Sequence, residues 1–178
     1  MLGVTSSTMS FHCPVLPAGT DLEISVERAS GTRQSLRSEM KESAPGLFAP
    51  NGDGSGGVVG ARTGEVVGTR SSNASTLRPV ISGETLVMYA TGLGDATTSR
   101  VRVLFGGTEV EPLSVSAVAG SPGLYEVRLN VPYPSQEEAQ DRNGLESPIY
   151  LLVTDKDGQR QASNAIRVAV TTAEAATN

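Results

Sequence analysis

The segment from Ala44 to Ala61, APGLFAPNGDGSGGVVGA, holds the densest group of residue types able to do chemistry. Gly52, Gly54 and Gly57 have the G-x-G-x-x-G spacing whose backbone amides can cradle a phosphate. That use needs a strand before the glycines and a helix after them, because the pyrophosphate rests on the helix N–H groups. After Gly57 the chain reads VVGARTGEVVG, β-branched and broken by glycine, so no helix starts there. Asn51, Asp53 and Ser55, with Gly56 next, match the opening of a calcium loop. An EF-hand places a bidentate Glu at the twelfth position of that loop. Counted from Asn51, the twelfth residue is Arg62, a cation where an anion is needed. Asp53 is left as a weak metal candidate. The remaining reading is a flexible joint, then a hairpin of Val58–Arg62 with Glu65–Gly68 turning at Thr63-Gly64.

Five further groups have types that could do chemistry and a plainer alternative. Ser38 to Lys41 fits S-x-x-K, but acyl-enzyme chemistry needs a helix and companion motifs, and this stretch ends an expected strand. His12, the sole histidine, could act as a general base; on an alternating strand between Phe11 and Cys13 it reads as a solvent-facing residue. Cys13, the sole cysteine, reads as a small buried hydrophobe and excludes an intrachain disulfide. Asp155 and Asp157 flank Lys156 in an Asp-Gly turn, without the cleft a glycosidase pair needs. Asn73-Ala74-Ser75 is a glycosylation sequon, idle in most bacteria. No catalytic residue, cofactor or metal centre is expected, and a structural zinc site lacks its ligands.

The elements that position these residues are strands. The chain has 178 residues, 20 Gly and 10 Pro, 4% aromatics and no Trp, so a core must be built from aliphatic side chains. Net charge is -5 with scattered basic residues, which argues against a nucleic-acid partner. No apolar run approaches membrane-spanning length, and the N-terminus has no signal-peptide pattern. DLEISVER alternates with Leu22, Ile24 and Val26 on one face. ETLVMYAT, RVRVLF, LYEVRLNV, IYLLVTD and AIRVAV follow the same rule. Turn signals fall at Ser30-Gly31, Gly106-Gly107 and Asp157-Gly158. A helical turn is expected only at 135–142, and the tail after 170 reads as frayed.

Two segments repeat. Phe11-His12-Cys13-Pro14 aligns with Leu129-Asn130-Val131-Pro132, and Leu22, Ile24 and Val26 fall on Ile149, Leu151 and Val153. Gly31 to Gln34 matches Gly158 to Gln161. The Pro-to-Gly spacing is 17 in the first copy and 26 in the second, which fits an insertion at 134–147. The first copy lacks the strands that precede the second.

ISGETLVMYATGLGD, followed by RVRVLFGGTEVEPLSVSAV, resembles the opening of an IPT/TIG-type immunoglobulin-like domain. The carriers are Thr91-Gly92-Leu93-Gly94 and Phe105-Gly106-Gly107. APGLF, YATGLG and PGLYEVRLNVP together resemble a paired Ig-like module at the C-termini of large secreted bacterial proteins, acidobacterial ones among them. Residues 5–170 match that module in order; the front half of its first domain is absent. The resemblance implies an all-β, Ig-like β-sandwich with an incomplete β unit at the N-terminus, and it carries no enzymatic activity. The expected domains are a partial unit at 1–43, a Gly-rich joint and hairpin at 44–79, a complete sandwich at 80–170 and a tail at 171–178. The core is expected from Leu86, Met88, Val101, Val103, Leu124, Val127, Leu129, Leu151, Val153, Ile166 and Val168, with Arg102 facing solvent. The implied role is a non-catalytic extracellular or cell-surface module: structural, adhesive or glycan-binding. The alternative is a self-assembling subunit completed by a strand from a neighbouring chain. Its interface candidates are Met9, Phe11, Leu22, Ile24 and Val26, since an apolar sheet face must be covered. Protein–protein contacts, self-association among them, are the expected partners. No sequence feature identifies a sugar site.

Overall fold

The computed structural model describes residues 3–5, 9–11, 13–14, 16–49, 57–67, 78–95, 97–133 and 146–171. The chain divides into two compact units, Met1–Glu42 and Ser43–Asn178. The first holds two ribbons, β1 (Gly3–Val4) with β2 (Met9–Ser10), and β3 (Asp21–Glu27) with β4 (Arg33–Glu39). The second begins with β5 (Gly46–Leu47), β6 (Val58–Gly60), β7 (Val66–Val67), β8 (Val80–Ile81) and β9 (Thr85–Thr91). A 3-10 turn at Thr98–Arg100 leads into β10 (Val101–Phe105), β11 (Thr108–Val110), β12 (Ser114–Ala117) and β13 (Leu124–Asn130). β14 (Glu146–Thr154), β15 (Arg160–Ala162) and β16 (Ile166–Thr171) complete it. The protein is all-β, as the alternating runs require. Residues 135–142, expected to hold a helical turn, lie outside the described residues.

The second unit is a sandwich of two sheets. One runs β11-β10-β14-β16-β8, with β15 also on β14; the other runs β12-β13-β9-β6-β7, with β5 also on β9. Side chains alternate across each strand, so every second residue enters the space between the sheets. Val101, Val103 and Phe105 of β10 meet Ile149, Leu151 and Val153 of β14 on one inner face. Leu86, Met88 and Ala90 of β9, with Val127 and Leu129 of β13, supply the other. These residues are all buried, and none carries a polar side-chain atom. Leu124, expected in the core, is half-buried: with Val127 and Leu129 facing inward, the period of two puts Leu124 with Glu126 and Arg128 on the outer side of β13, and Tyr125 packs against the core. Arg102 does face outward; its guanidinium lies 4.0 Å from Glu109 and 3.8 Å from Glu111.

The stretch 44–79, expected as a joint and hairpin outside the sandwich, contributes three strands to it. β6 and β7 form the hairpin, Val58 opposite Val67 and Val59 opposite Val66. β6 also pairs with β9 over Leu86–Met88, and β5 pairs with the same edge at Ala90 and Thr91. Leu47, Val58 and Val67 are buried in the common core. The sandwich therefore starts at Ser43 rather than Val80, because the edge of β9 and the core beneath it need these strands. The backbone of Gly57 lies against the carbonyl of Phe48, a place with no room for a side chain.

Replacing Leu151 with Ala should destabilise the sandwich by about 2–5 kcal/mol in denaturant unfolding, as for a large buried aliphatic residue. Replacing Leu36 of β4, 64% exposed, should change stability by no more than about 0.5 kcal/mol. Equal effects at the two positions would contradict the face assignments.

Candidate interaction surface

In the N-terminal unit, β3 and β4 pair antiparallel with Leu22 opposite Ser38, Ile24 opposite Leu36 and Val26 opposite Gln34. Residues directly opposite share a face, so Leu22, Ile24, Val26 and Leu36 lie together. The other face is polar throughout. There Ser25 and Ser35 hydroxyls are 2.8 Å apart, Arg33 donates to Ser25 Oγ at 3.0 Å, and Arg37 reaches Glu23 at 3.6 Å. Leu22 and Ile24 are half-buried; Val26 is 36% exposed. Met9, which sits opposite Val4 in the first ribbon, and Phe11 just after it are exposed as well. Leu36 was not singled out by the sequence reading. Its signal is present: it is the single large apolar residue of RQSLRSE, placed to meet Ile24.

The repeat holds at the level of single hydrogen bonds. Ser25 faces Ser35 and Val26 faces Gln34; at the matching positions Leu152 faces Ala162 and Val153 faces Gln161. In the first turn Arg28 N–H donates to Thr32 at 2.9 Å and Gly31 N–H to Arg28 at 2.8 Å. In the second, Asp155 N–H donates to Gln159 at 2.9 Å and Gly158 N–H to Asp155 at 3.2 Å. Both turns need a left-handed residue, and the glycines meet it with φ of 79° at Gly31 and 80° at Gly158. What differs is cover. Ile149, Leu151 and Val153 are 0, 0 and 1% exposed; Leu22, Ile24 and Val26, their matches, are not buried.

Cys13 shows the same contrast. Its counterpart Val131 is buried, whereas Cys13 is exposed, with its thiol 3.7 Å from Met40 Sδ. The expectation of a buried cysteine is corrected: among the described residues this unit has only two-stranded ribbons, and Cys13 remains exposed. Ser38 and Lys41 belong to β4 and its end, not to a helix. Asp155 closes its own turn, accepting from Asp157 N–H at 3.1 Å and Gln159 N–H at 2.7 Å. Asp53, His12 and the sequon at Asn73 lie outside the described residues. Among the described residues no three His, Cys, Asp or Glu side chains gather into a metal-binding group, and no helix is long and apolar enough to cross a membrane.

Two motifs singled out by the sequence meet in the sandwich. Ala44 N–H donates to Gly92 carbonyl at 2.8 Å, so APGLF docks along YATGLG. The Asn164 side-chain amide then pairs with Leu47 as a strand would. It accepts from Leu47 N–H at 2.7 Å and donates to Leu47 carbonyl at 3.0 Å. On the opposite flank Arg78 forks onto Glu84 at 3.0 and 3.2 Å and onto Glu65 at 2.9 Å. The Glu84 hydrogen bonds raise the Arg78 pKa further above its already high range. These pairs join elements of the fold and present no converging reactive groups.

Asp95 is bridged by Arg100 at 2.7 Å and Lys156 at 3.3 Å. The Arg100 hydrogen bond first, and Lys156 second, hold its carboxyl below the ordinary range. A depressed carboxyl contributes stability above its unfolded pKa of about 3.9 and loses it as pH falls through the folded value. Thermal melts should therefore separate the parent chain from Asp95→Asn at pH 7 and converge at acid pH. A gap that persists or widens below about pH 3 would contradict this coupling.

No family model matches the chain, and no curated protein matches it. Among solved structures it is similar to the Bacteroides ovatus mixed-linkage glucan utilization locus protein SGBP-B, determined in complex with a mixed-linkage heptasaccharide. Identity is 18% and the TM-score 0.32, over 88% of this chain and 31% of that one. The chain thus spans about a third of that protein's length.

Proposed function

We propose that the chain is a non-catalytic Ig-like module, of the IPT/TIG type, belonging to a secreted or surface protein of a bacterium, with a structural or adhesive role. The observation that carries this reading is the recurrence of one hairpin, in the same register and with the same turn hydrogen bonds, in both units. A chain that repeats one β module in tandem suits a role as spacer or contact surface. The charged side chains of the sandwich support the reading, since they pair across strands and turns as scaffold contacts do. Such exposed pairs contribute little individually; the aliphatic core holds the unit. A second reading, a subunit that assembles with other chains, is favoured by the partly exposed apolar face of β3 and β4.

Fractionation of the native host should recover the chain in the medium or the cell envelope. Recovery in the cytosol would overturn the module reading.

A further inference from the structure

We propose that residues 43–48 form a strap that opens on its own while the sandwich stays folded, and that the Asn164 side chain is its latch. This device belongs to the second unit and stands whether or not the module reading above holds. β5, the centre of the strap, is bound from both sheets. Along one edge it pairs with β9, Gly46 opposite Thr91 and Leu47 opposite Ala90. The contact continues at either end, where Ala44 N–H donates to Gly92 carbonyl at 2.8 Å and Phe48 N–H to Tyr89 carbonyl at 3.0 Å. From the other sheet comes Asn164, between β15 and β16. Its amide accepts from Leu47 N–H at 2.7 Å and donates to Leu47 carbonyl at 3.0 Å. The latch is itself positioned. Ser163, buried beside it, accepts from Leu151 N–H at 2.9 Å and donates to the Asn164 carbonyl at 2.7 Å.

The strap is well bonded but shallow. It places one large side chain, Leu47, in the core, and Phe48 is 49% exposed. At its entry the Ser43 hydroxyl is buried with no hydrogen-bond partner among the described residues. Opening gives that hydroxyl to water and relieves the cost of an unmade bond. It also breaks no ladder between other strands: β9 keeps β13 on one edge, and β6 at Leu86, Val87 and Met88 on the other. An element with few buried apolar contacts opens locally at a lower free energy than the whole domain. Two bonds from one side chain then set how often this strap lifts. Lifting lengthens the chain that leads to the first unit. Met40 N–H still bonds to Thr20 there, so Lys41 and Glu42 are all that lies between that bond and the strap. Residues 43–48 add up to roughly 20 Å of extended chain to this short link, so tension draws on the strap before it draws on the core.

The test is amide hydrogen exchange on the full chain, read by NMR as protection factors. In the parent, Ala44, Leu47 and Phe48 should exchange through a local opening that low denaturant does not accelerate, and Val127 only through global unfolding. Asn164→Ala should lower the protection of the three strap amides roughly tenfold or more. Leu129→Ala, in the core, destabilises the closed and the strap-open states alike relative to the unfolded chain. It should lower protection at Val127 roughly tenfold or more and leave the strap amides as in the parent. Asn164→Asp keeps the acceptor for Leu47 N–H but, when ionised, sets a carboxylate against the Leu47 carbonyl. Strap protection in this variant should be low at neutral pH and recover as pH falls through the carboxyl range near about 3.9, where the protonated acid can donate again. The Asp variant keeps the test open if Asn164→Ala does not fold. Strap amides that follow Val127 in denaturant dependence, or that lose protection with it in Leu129→Ala, overturn the proposal. So does a strap indifferent to Asn164→Ala, or one whose protection in Asn164→Asp does not change with pH.

Discussion

A strand that alternates aliphatic and polar residues commits one of its faces to being covered, and both units of this chain answer to that constraint. In the sandwich the commitment is met from two sides. β14 brings Ile149, Leu151 and Val153 to an inner face, and β9 and β13 bring Leu86, Met88, Val127 and Leu129 against them. With hardly any aromatic residue available, the filling is aliphatic, and close packing then depends on many small contacts rather than a few large ones. That is why two-residue strands such as β5 and β7 matter: each places one side chain, Leu47 or Val67, into a layer that tolerates no gap. In the N-terminal unit the same alternation exists on β3, and among the described residues its sheet has two strands, with Leu22 and Ile24 half-buried rather than buried.

Much of the architecture was legible from alternation alone. β9, β10, β13 and β14 are long enough for the period of two to show, and their inward residues follow from it. β5 and β7 are too short to show any period, and they sit among Pro and Gly, so the segment before Val80 reads as a connector. What places β5 in the sheet is pairing with the edge of β9, a relation between residues some forty positions apart, and β7 is placed by its pairing with β6. Side-chain surrogates for backbone are equally hidden. Nothing in SNAIRV marks Asn164 as a partner of Leu47. The repeat, by contrast, was visible, and its turn glycines fixed the correspondence. The burial of Cys13 was misread from that same correspondence, because a matching sequence position inherits its backbone but not its neighbours.

The Asp95 bridge and the Arg78 fork illustrate a division of labour between core and rim. Arg78 draws Glu65, at the turn end of the β6–β7 hairpin, toward Glu84, which itself accepts from Ile81 N–H at 2.9 Å. Asp95 draws the loop after β9 toward Lys156, in the β14–β15 turn. Neither supplies much energy. Each fixes which turn meets which, and so restricts the ways in which twisted sheets of similar aliphatic strands could pack.

The closeness of Phe48 and Gly57 has a consequence for how such a chain can change. Because β5 and β6 sit end to end on one edge of β9, the end of one and the start of the other lie at nearly the same point. Both points are held by the ladder and by packing, independently of how many residues join them. Lengthening a loop closed in this way costs only about 0.6 kcal/mol per doubling. The site is a doorway through which new sequence can be added without asking the sandwich to move, and Gly57 is the residue that keeps its frame narrow.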